Sequence, residues 1–203
     1  MTPLILASRS PRRAELLKNA GVDFTIRAAD LDETRLAGES AEEYVCRLAR
    51  EKALRVSRFA PPGSLVLGAD TAVAIAGRVF GKPANAADAI QMLRLLSGAT
   101  HRVLTGFCIV QTSEKVEALR HESTAVTFRP LTQEEIERYV ASGEPLDKAG
   151  AYAIQGAASS FVTRVNGSIP NVVGLPVGSV IEALKKVPGF EQDWRELAPR
   201  YGI

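Results

Sequence analysis

The sequence predicts an α/β or α+β fold built on a mixed β-sheet. Three observations point there: strands and helices alternate from the N-terminus, two long β-rich runs then follow one another directly, and helices with clear caps recur along the chain.

The elements follow in order. Leu4 to Ala7 is a short apolar strand, and Ser10-Pro11 then supplies an N-cap and a proline at the first helical position, opening a helix to Ala20 that Gly21 stops. Phe24 to Ala28 reads as a second strand. Ser40-Ala41-Glu42-Glu43 is a capping box that starts a long helix through Phe59, closed by Pro61-Pro62-Gly63. Glu43 with Arg47 and Glu51 with Arg55 are expected as i,i+4 ion pairs on it. Ser64 to Leu67 is apolar enough for a buried central strand, and Ala72 to Phe80 reads as a hairpin turning at Ala76-Gly77. The polar pair Asp70-Thr71 falls between these strands. Asn85 to Ser97 is helical, with Ile90, Leu93 and Leu95-Leu96 facing a core and Gly98 capping its end. Thr100 to Gln111 and Glu117 to Phe128 are β-rich and form a long hairpin. Thr132-Gln133-Glu134-Glu135 is a second capping box, starting a helix to Ser142. After a glycine-rich polar segment, Phe161 to Val165 is a strand and Pro176 to Val187 a helix. Phe190, Trp194 and Leu197 recur at helical spacing and suggest a docked extension over residues 188–203.

A chain of 203 residues, 46% hydrophobic and 24% charged, folds as one large domain or two small lobes. Its 25 basic and 23 acidic side chains leave a net charge of +2, with no broad field for gripping a nucleic-acid backbone, so any anion site is local. Cys46 and Cys108 form no C-x-x-C pattern and read as two buried free thiols. His101 and His121, the only histidines, read as surface or strand residues and argue against a His-ligated zinc centre. No stretch approaches ~20 apolar residues and no basic leader opens the chain, so no membrane segment is expected and the cytoplasm is the expected compartment.

Chemistry gathers in a few short motifs. In Ser8-Arg9-Ser10-Pro11-Arg12-Arg13, two arginines occupy a helix's first turn. Cations there oppose the helix dipole at a few tenths to about 1 kcal/mol each, which makes sense if an anion sits at the helix end. A merely solvated basic helix start is the alternative. Glu33, in a loop after one strand, and Asp70, at the end of another, could hold a hard divalent cation or take a proton from water, or could be ordinary solvated acids. Tyr44, Leu48 and Lys52 share one helical stripe, so Lys52 either points into a cleft or snorkels along the core rim. Gly81-Lys82-Pro83, Asp147-Lys148-Ala149-Gly150 and Ile154-Gln155-Gly156 add two cations and an amide. Together these cations suit a polyphosphate clamp. Neither a P-loop nor a dinucleotide-binding glycine fingerprint occurs.

These motifs add up to a resemblance. Ile5 to Arg13, Asp32-Glu33, Gly68-Ala69-Asp70-Thr71, Gly81-Lys82-Pro83, Leu96-Ser97-Gly98, Asp147 to Tyr152, Ile154-Gln155-Gly156 and Asn171 to Pro176 resemble, in order, the Maf family of nucleoside triphosphate pyrophosphatases, once named for inhibition of septum formation. The resemblance implies an elongated two-lobed α/β fold like that of inosine triphosphate pyrophosphatases, with a mixed sheet flanked by helices and the active-site cleft between lobes. It makes residues 1–203 a single Maf-like domain with 188–203 as an extension. It also implies hydrolysis of the α–β phosphoanhydride, dependent on Mg²⁺ or Mn²⁺, to a nucleoside monophosphate and pyrophosphate. Asp70 falls at the family's proton acceptor and Glu33 at the acid that assists with metal or water. Ser8, Arg13, Lys52, Lys82 and Lys148 fall where the family contacts phosphate or supports the cleft. Arg12, Thr71 and Gln155 match the branch that acts on dTTP and UTP, where the 7-methyl-GTP branch carries tryptophan, glutamine and glutamate. A glutamine amide can donate to and accept from the edge of uracil or thymine. The partner so implied is a small nucleotide, with no nucleic acid or membrane and with a homodimer left open. The rival readings are 7-methyl-GTP hydrolysis and a nucleotide-binding regulator of division that releases no pyrophosphate.

Overall fold

Alternation along the central strands decides which helix covers which face. The computed structural model describes residues 2–113 and 115–191, in the order β1 (Leu4–Leu6), α1 (Pro11–Asn19), β2 (Thr25–Ile26), α2 (Ala41–Ser57), β3 (Leu65–Ile75), β4 (Arg78–Phe80), α3 (Ala86–Leu96), β5 (Thr100–Gln111), β6 (Val116–Phe128), α4 (Gln133–Ala141), β7 (Val162–Asn166), α5 (Ile169–Val173) and α6 (Val177–Leu184). The strands form a seven-stranded mixed sheet in the order β2-β1-β3-β5-β6-β7, with β4 paired to β3. The fold is therefore mixed α/β. The chain divides into two units, one comprising the residues up to Asp70, Thr105–Glu122 and those from Gly174 onward, the other Thr71–Leu104 and Ser123–Val173.

In the first unit, β1 pairs in parallel with both β2 and β3. Leu4, Leu6, Leu65, Leu67, Phe107 and Ile109 share one core with Leu17 of α1 and Val177, Val180, Ile181 and Leu184 of α6. The intervening Ile5, Val66, Cys108 and Val110 share another with Ala49, Ala53 and Val56 of α2. Both faces are covered, which is why these strands read as unbroken apolar runs in the sequence. The predicted caps form: Ser10 Oγ accepts from the Arg13 amide, and Ser40 with Glu43 closes the capping box of α2.

The second unit has its own core, from Val73, Met92, Leu93, Leu96, Val103, Val126, Phe128, Ile136, Tyr139, Tyr152 and Phe161. Its aromatic rings meet edge to face: Phe128 touches His101, Tyr152 and Phe161 at centroid distances of 4.9, 4.8 and 6.0 Å. β3 and β4 form the predicted hairpin, turning at Ala76 and Gly77 with φ of 47° and 76°, the two positive values that a two-residue turn of type I′ requires. The second capping box, Thr132 with Glu135, starts α4 as expected.

Several expectations need correction. Asp70-Thr71 does not separate two strands: β3 runs unbroken from Leu65 to Ile75, and the polar pair lies in its middle. Arg47 turns to Glu39 and Glu51, while Glu43 is taken up by the capping box. Cys46 is only half-buried, while His101 is the strand residue expected, buried within β5. The glycine-rich segment holds three short 3₁₀ turns, Glu144–Asp147, Ala149–Ala151 and Ala157–Phe161, and α5 precedes α6. These pieces of three to five residues are too brief to leave a period in the sequence. Trp194 and Leu197 lie outside the described residues. No helix among those described is long and apolar enough to cross a membrane.

Candidate active site

The site in the first unit begins with a missing side chain. A Cβ at Gly68 would stand 2.1 Å from the Ala49 carbonyl oxygen, and one at Gly106 would stand 2.5 Å from the Val45 carbonyl. Glycine at both positions lets α2 lie directly against the backbone of β3 and β5. Asp70 is two residues beyond Gly68 and so on the same face of β3; Lys52 is three beyond Ala49, one helical turn on. That close approach joins them: Lys52 Nζ donates to Asp70 Oδ1 at 2.5 Å, with both side chains buried. Lys52 neither snorkels nor faces solvent.

The same ammonium meets Glu33 Oε1 at 2.6 Å, and the Glu33 side chain is 43% exposed. Glu33 lies in the irregular chain between β2 and α2, and α2 holds that chain in place. Tyr44 Oη donates to the Glu33 carbonyl at 2.9 Å. Arg47 clamps the buried Glu39 carboxylate at 2.6 and 2.9 Å and donates to the Thr34 carbonyl at 3.1 Å. Glu39 in turn accepts from the Leu36 amide at 3.1 Å. Sequence reasoning passed over Glu39, Arg47 and the Tyr44 hydroxyl as supports; the available signal was the density of charge before the capping box, followed by an arginine two turns into the helix.

Arg13 comes from the first turn of α1 and folds back. Its Nε donates to the Gly174 carbonyl at 2.7 Å and its Nη1 to Ser8 Oγ at 3.2 Å, while Ser8 Oγ also accepts from the Ser10 amide at 3.1 Å. Burial pushes the Arg13 pKa down, and the negative charges of Asp70 and Glu33 oppose that. Burial pushes Asp70 up, and the Lys52 and Arg13 cations resist without cancelling it. The Tyr44 phenol is raised to about 12 by burial and then by Asp70 and Glu33. Ser8, Arg13, Glu33, Lys52 and Asp70 are thus brought together, and neither acid is an ordinary solvated loop residue. Arg12 lies half-buried in the same helical turn as Arg13.

The remaining predicted residues belong to the second unit. Thr71 follows Asp70 on β3 and is partly buried. Lys82 is exposed in the turn after β4. Lys148 Nζ donates to the Glu144 carbonyl at 2.8 Å and pairs with Asp147 Oδ1 at 2.5 Å. The Gly150 amide donates to the Gly81 carbonyl at 3.0 Å, tying the Lys82 turn to the Lys148 segment. Gln155 is exposed on a turn closed by the Gly156 amide on the Ala153 carbonyl at 3.1 Å.

Asp70 and Glu33 each direct an oxygen at one cation, the Lys52 ammonium. Two converging carboxylates fit a hard divalent ion that draws its other ligands from phosphate and water. Among the described residues no group of three or more His, Cys, Asp or Glu could supply a closed protein cage.

The sequence profile described as Maf-like protein matches residues 3–187, so residues 188–203 lie beyond it. A dTTP/UTP pyrophosphatase of Anaeromyxobacter dehalogenans (strain 2CP-C) is 50% identical over 195 residues, covering 95% of this chain and 97% of the relative. The protein of the same name from Myxococcus xanthus (strain DK1622) is 51% identical over 194 residues, covering 96% of each. Among solved structures, a HAM1 protein from Coxiella burnetii overlays with a TM-score of 0.43 at 18% identity, over 79% of this chain and 90% of that one. With a profile spanning nearly all of the described chain and full-length relatives at half identity, this chain belongs to the Maf family.

Proposed function

We propose that the chain is a nucleoside triphosphate pyrophosphatase that hydrolyses dTTP and UTP to the monophosphate and pyrophosphate. The observation that carries this reading is the Lys52 ammonium held between Asp70 and Glu33, with the Arg13 guanidinium beside them. Two cations and two carboxylates are what a triphosphate and its attacking water need together. The names of the half-identical relatives support the choice of substrate.

In this mechanism a water adds to the α-phosphorus. Its proton passes to Asp70, whose raised pKa makes it a better base than a solvated aspartate. The bond from that phosphorus to the bridging oxygen breaks, and pyrophosphate leaves with the electron pair. Arg13 and Lys52 offset the charge gathering on the phosphate oxygens, and Ser8 keeps the Arg13 fork aimed. Lys52 also keeps the two acids apart in charge until substrate arrives. Glu33 and Asp70 would hold Mg²⁺ or Mn²⁺, which when bound supplies further charge neutralisation at the phosphates. Lys82 and Lys148 add phosphate contacts, and Arg12, Thr71 and Gln155 select the pyrimidine. The reading assigns the enzyme to the cytoplasm and to free nucleotides.

The test is pyrophosphate release from UTP, dTTP, GTP and 7-methyl-GTP with Mg²⁺ or Mn²⁺, for the wild type and Asp70→Asn. Turnover of the two pyrimidines, nearly abolished in the variant, is expected. Nucleotide binding without pyrophosphate release would favour the regulator instead, and preference for 7-methyl-GTP would move the chain to the other branch.

A further inference from the structure

We propose that Glu144 is a positioning residue for substrate selection, holding both the turn that carries Gln155 and the side chain of Lys148 from one point. This rests on the reading of Gln155 as the base-selecting amide. Gln155 lies between Ala153 and Ala157, and both flanks of its turn are anchored to the same pair of side chains. Tyr139 Oη accepts from the Ala153 amide at 3.2 Å and donates to Glu144 Oε1 at 3.1 Å. Glu144 Oε2 accepts from the Ala157 amide at 3.3 Å. Between those anchors the Glu144 carboxylate lies so close to the turn that a Cβ on Gly156 would stand 1.9 Å from Oε1. The backbone carbonyl of Glu144 meanwhile receives Lys148 Nζ at 2.8 Å. Tyr139 is itself fixed, buried and edge-on to Phe161 with centroids 5.3 Å apart.

The chemistry of this clamp requires a carboxylate. The Tyr139 hydroxyl and the Ala157 amide both arrive as donors, and an ionised glutamate accepts both. A glutamine accepts one and presents its NH₂ to the other, so the turn must shift. An exposed amide that reads a base edge works only if its backbone is fixed, because a movement well under 1 Å removes the distinction between a donor and an acceptor edge. Glu144 therefore acts on substrate through Gln155 and Lys148 and touches neither base nor phosphate.

The experiment compares kcat/KM for UTP and for GTP in the wild type, Glu144→Gln, Glu144→Ala, Tyr139→Phe, Gly156→Ala and the double variant Glu144→Ala/Gly156→Ala, each with a melting curve. The expected result is a UTP-to-GTP ratio reduced about three- to tenfold in each single variant, the loss of roughly one net hydrogen bond. The double variant should lose no more selectivity than Glu144→Ala alone, since the three atoms nearest the added methyl all belong to the carboxylate that this substitution removes. A structural role alone would lower both substrates by one factor and leave the ratio unchanged; that outcome overturns the proposal, as does full additivity of the two substitutions. Tyr139→Phe keeps the ring against Phe161 and removes only the hydroxyl, so its UTP-to-GTP ratio decides between the two outcomes if the Glu144 variants fail to fold. A wild type that releases no pyrophosphate from UTP, or shows no preference for it over GTP, would refute the reading of Gln155; a selective wild type with unselective effects of substitution would refute only the role of Glu144.

Discussion

Replacing Lys52 by methionine removes the ammonium shared by Asp70 and Glu33 while keeping an unbranched side chain in its buried place. The two lost pairs are unequal. Lys52 and Asp70 are each 9% exposed in their side chains and 2.5 Å apart, whereas Glu33 is 43% exposed and stays hydrated when its partner goes. Asp70 therefore sets the cost. Stripping one partner from a buried ion pair costs about 3 to 5 kcal/mol, and the remaining attraction of Arg13 argues for the lower end, about 3 kcal/mol. With a urea dependence of about 2 kcal/mol per molar, the unfolding midpoint should fall by about 1.5 M at pH 8. The sign with pH follows from the same carboxyl. Its folded pKa is already raised, and losing Lys52 raises it further, so the variant loses stability as pH climbs above the unfolded value. The gap to the wild type should thus be smaller at pH 5 than at pH 8. Adding Asp70→Asn to the variant should close much of it, because a neutral amide needs no counter-charge. Urea melts at the two pH values measure all of this. A variant as stable as the wild type at pH 8, or a gap that ignores pH, would refute the claim that Lys52 neutralises a buried Asp70.

Three further outcomes are expected. Gly68→Ala should cost about 1 to 3 kcal/mol in a melt and lower kcat in the folded protein, because the methyl drives α2, and Lys52 with it, away from β3; unaltered kcat would show that the helix approach does not set the site. Arg13→Lys keeps the charge but loses the fork onto Gly174 and Ser8, so kcat should fall and KM rise together, about tenfold in kcat/KM, and wild-type kinetics would deny the fork a role. His101, buried with Nδ1 unpartnered and Nε2 on the Tyr152 hydroxyl at 2.8 Å, has its pKa lowered by burial to about 4. The unfolded chain takes up that proton first, so roughly 3 kcal/mol of stability should drain away as pH falls from 6.5 to about 4, and melts of His101→Gln should show a flatter slope across that window.

What the sequence determined by itself was local. Ser10-Pro11, Ser40 with Glu43, Thr132 with Glu135 and Ala76-Gly77 each carry their instruction within a few residues, so caps, helix starts and the hairpin were legible directly. The candidate residues were legible too, because the charged side chains sit in short motifs of the family pattern. Their partnerships were not. Asp70 looked like an acid at a strand end, since a polar pair normally marks a break; in the fold it sits within β3 because Lys52, 18 positions away, pairs with it there. That pairing depends on how closely α2 can approach, which Gly68 and Gly106 decide from strands distant in sequence. Arg47, expected to pair with Glu43, took Glu39 together with Glu51, since the buried Glu39 carboxylate needs the guanidinium more than a solvated one does. Nothing in the sequence singled out Glu144; only in the fold does the turn after Ala153 close over its carboxylate. Propensity and capping act over a few bonds and are written in neighbouring residues, whereas desolvation and close packing exist only once segments remote in the chain have met. Tertiary structure alone therefore decided which charges are paired, which are buried and which one holds another in place.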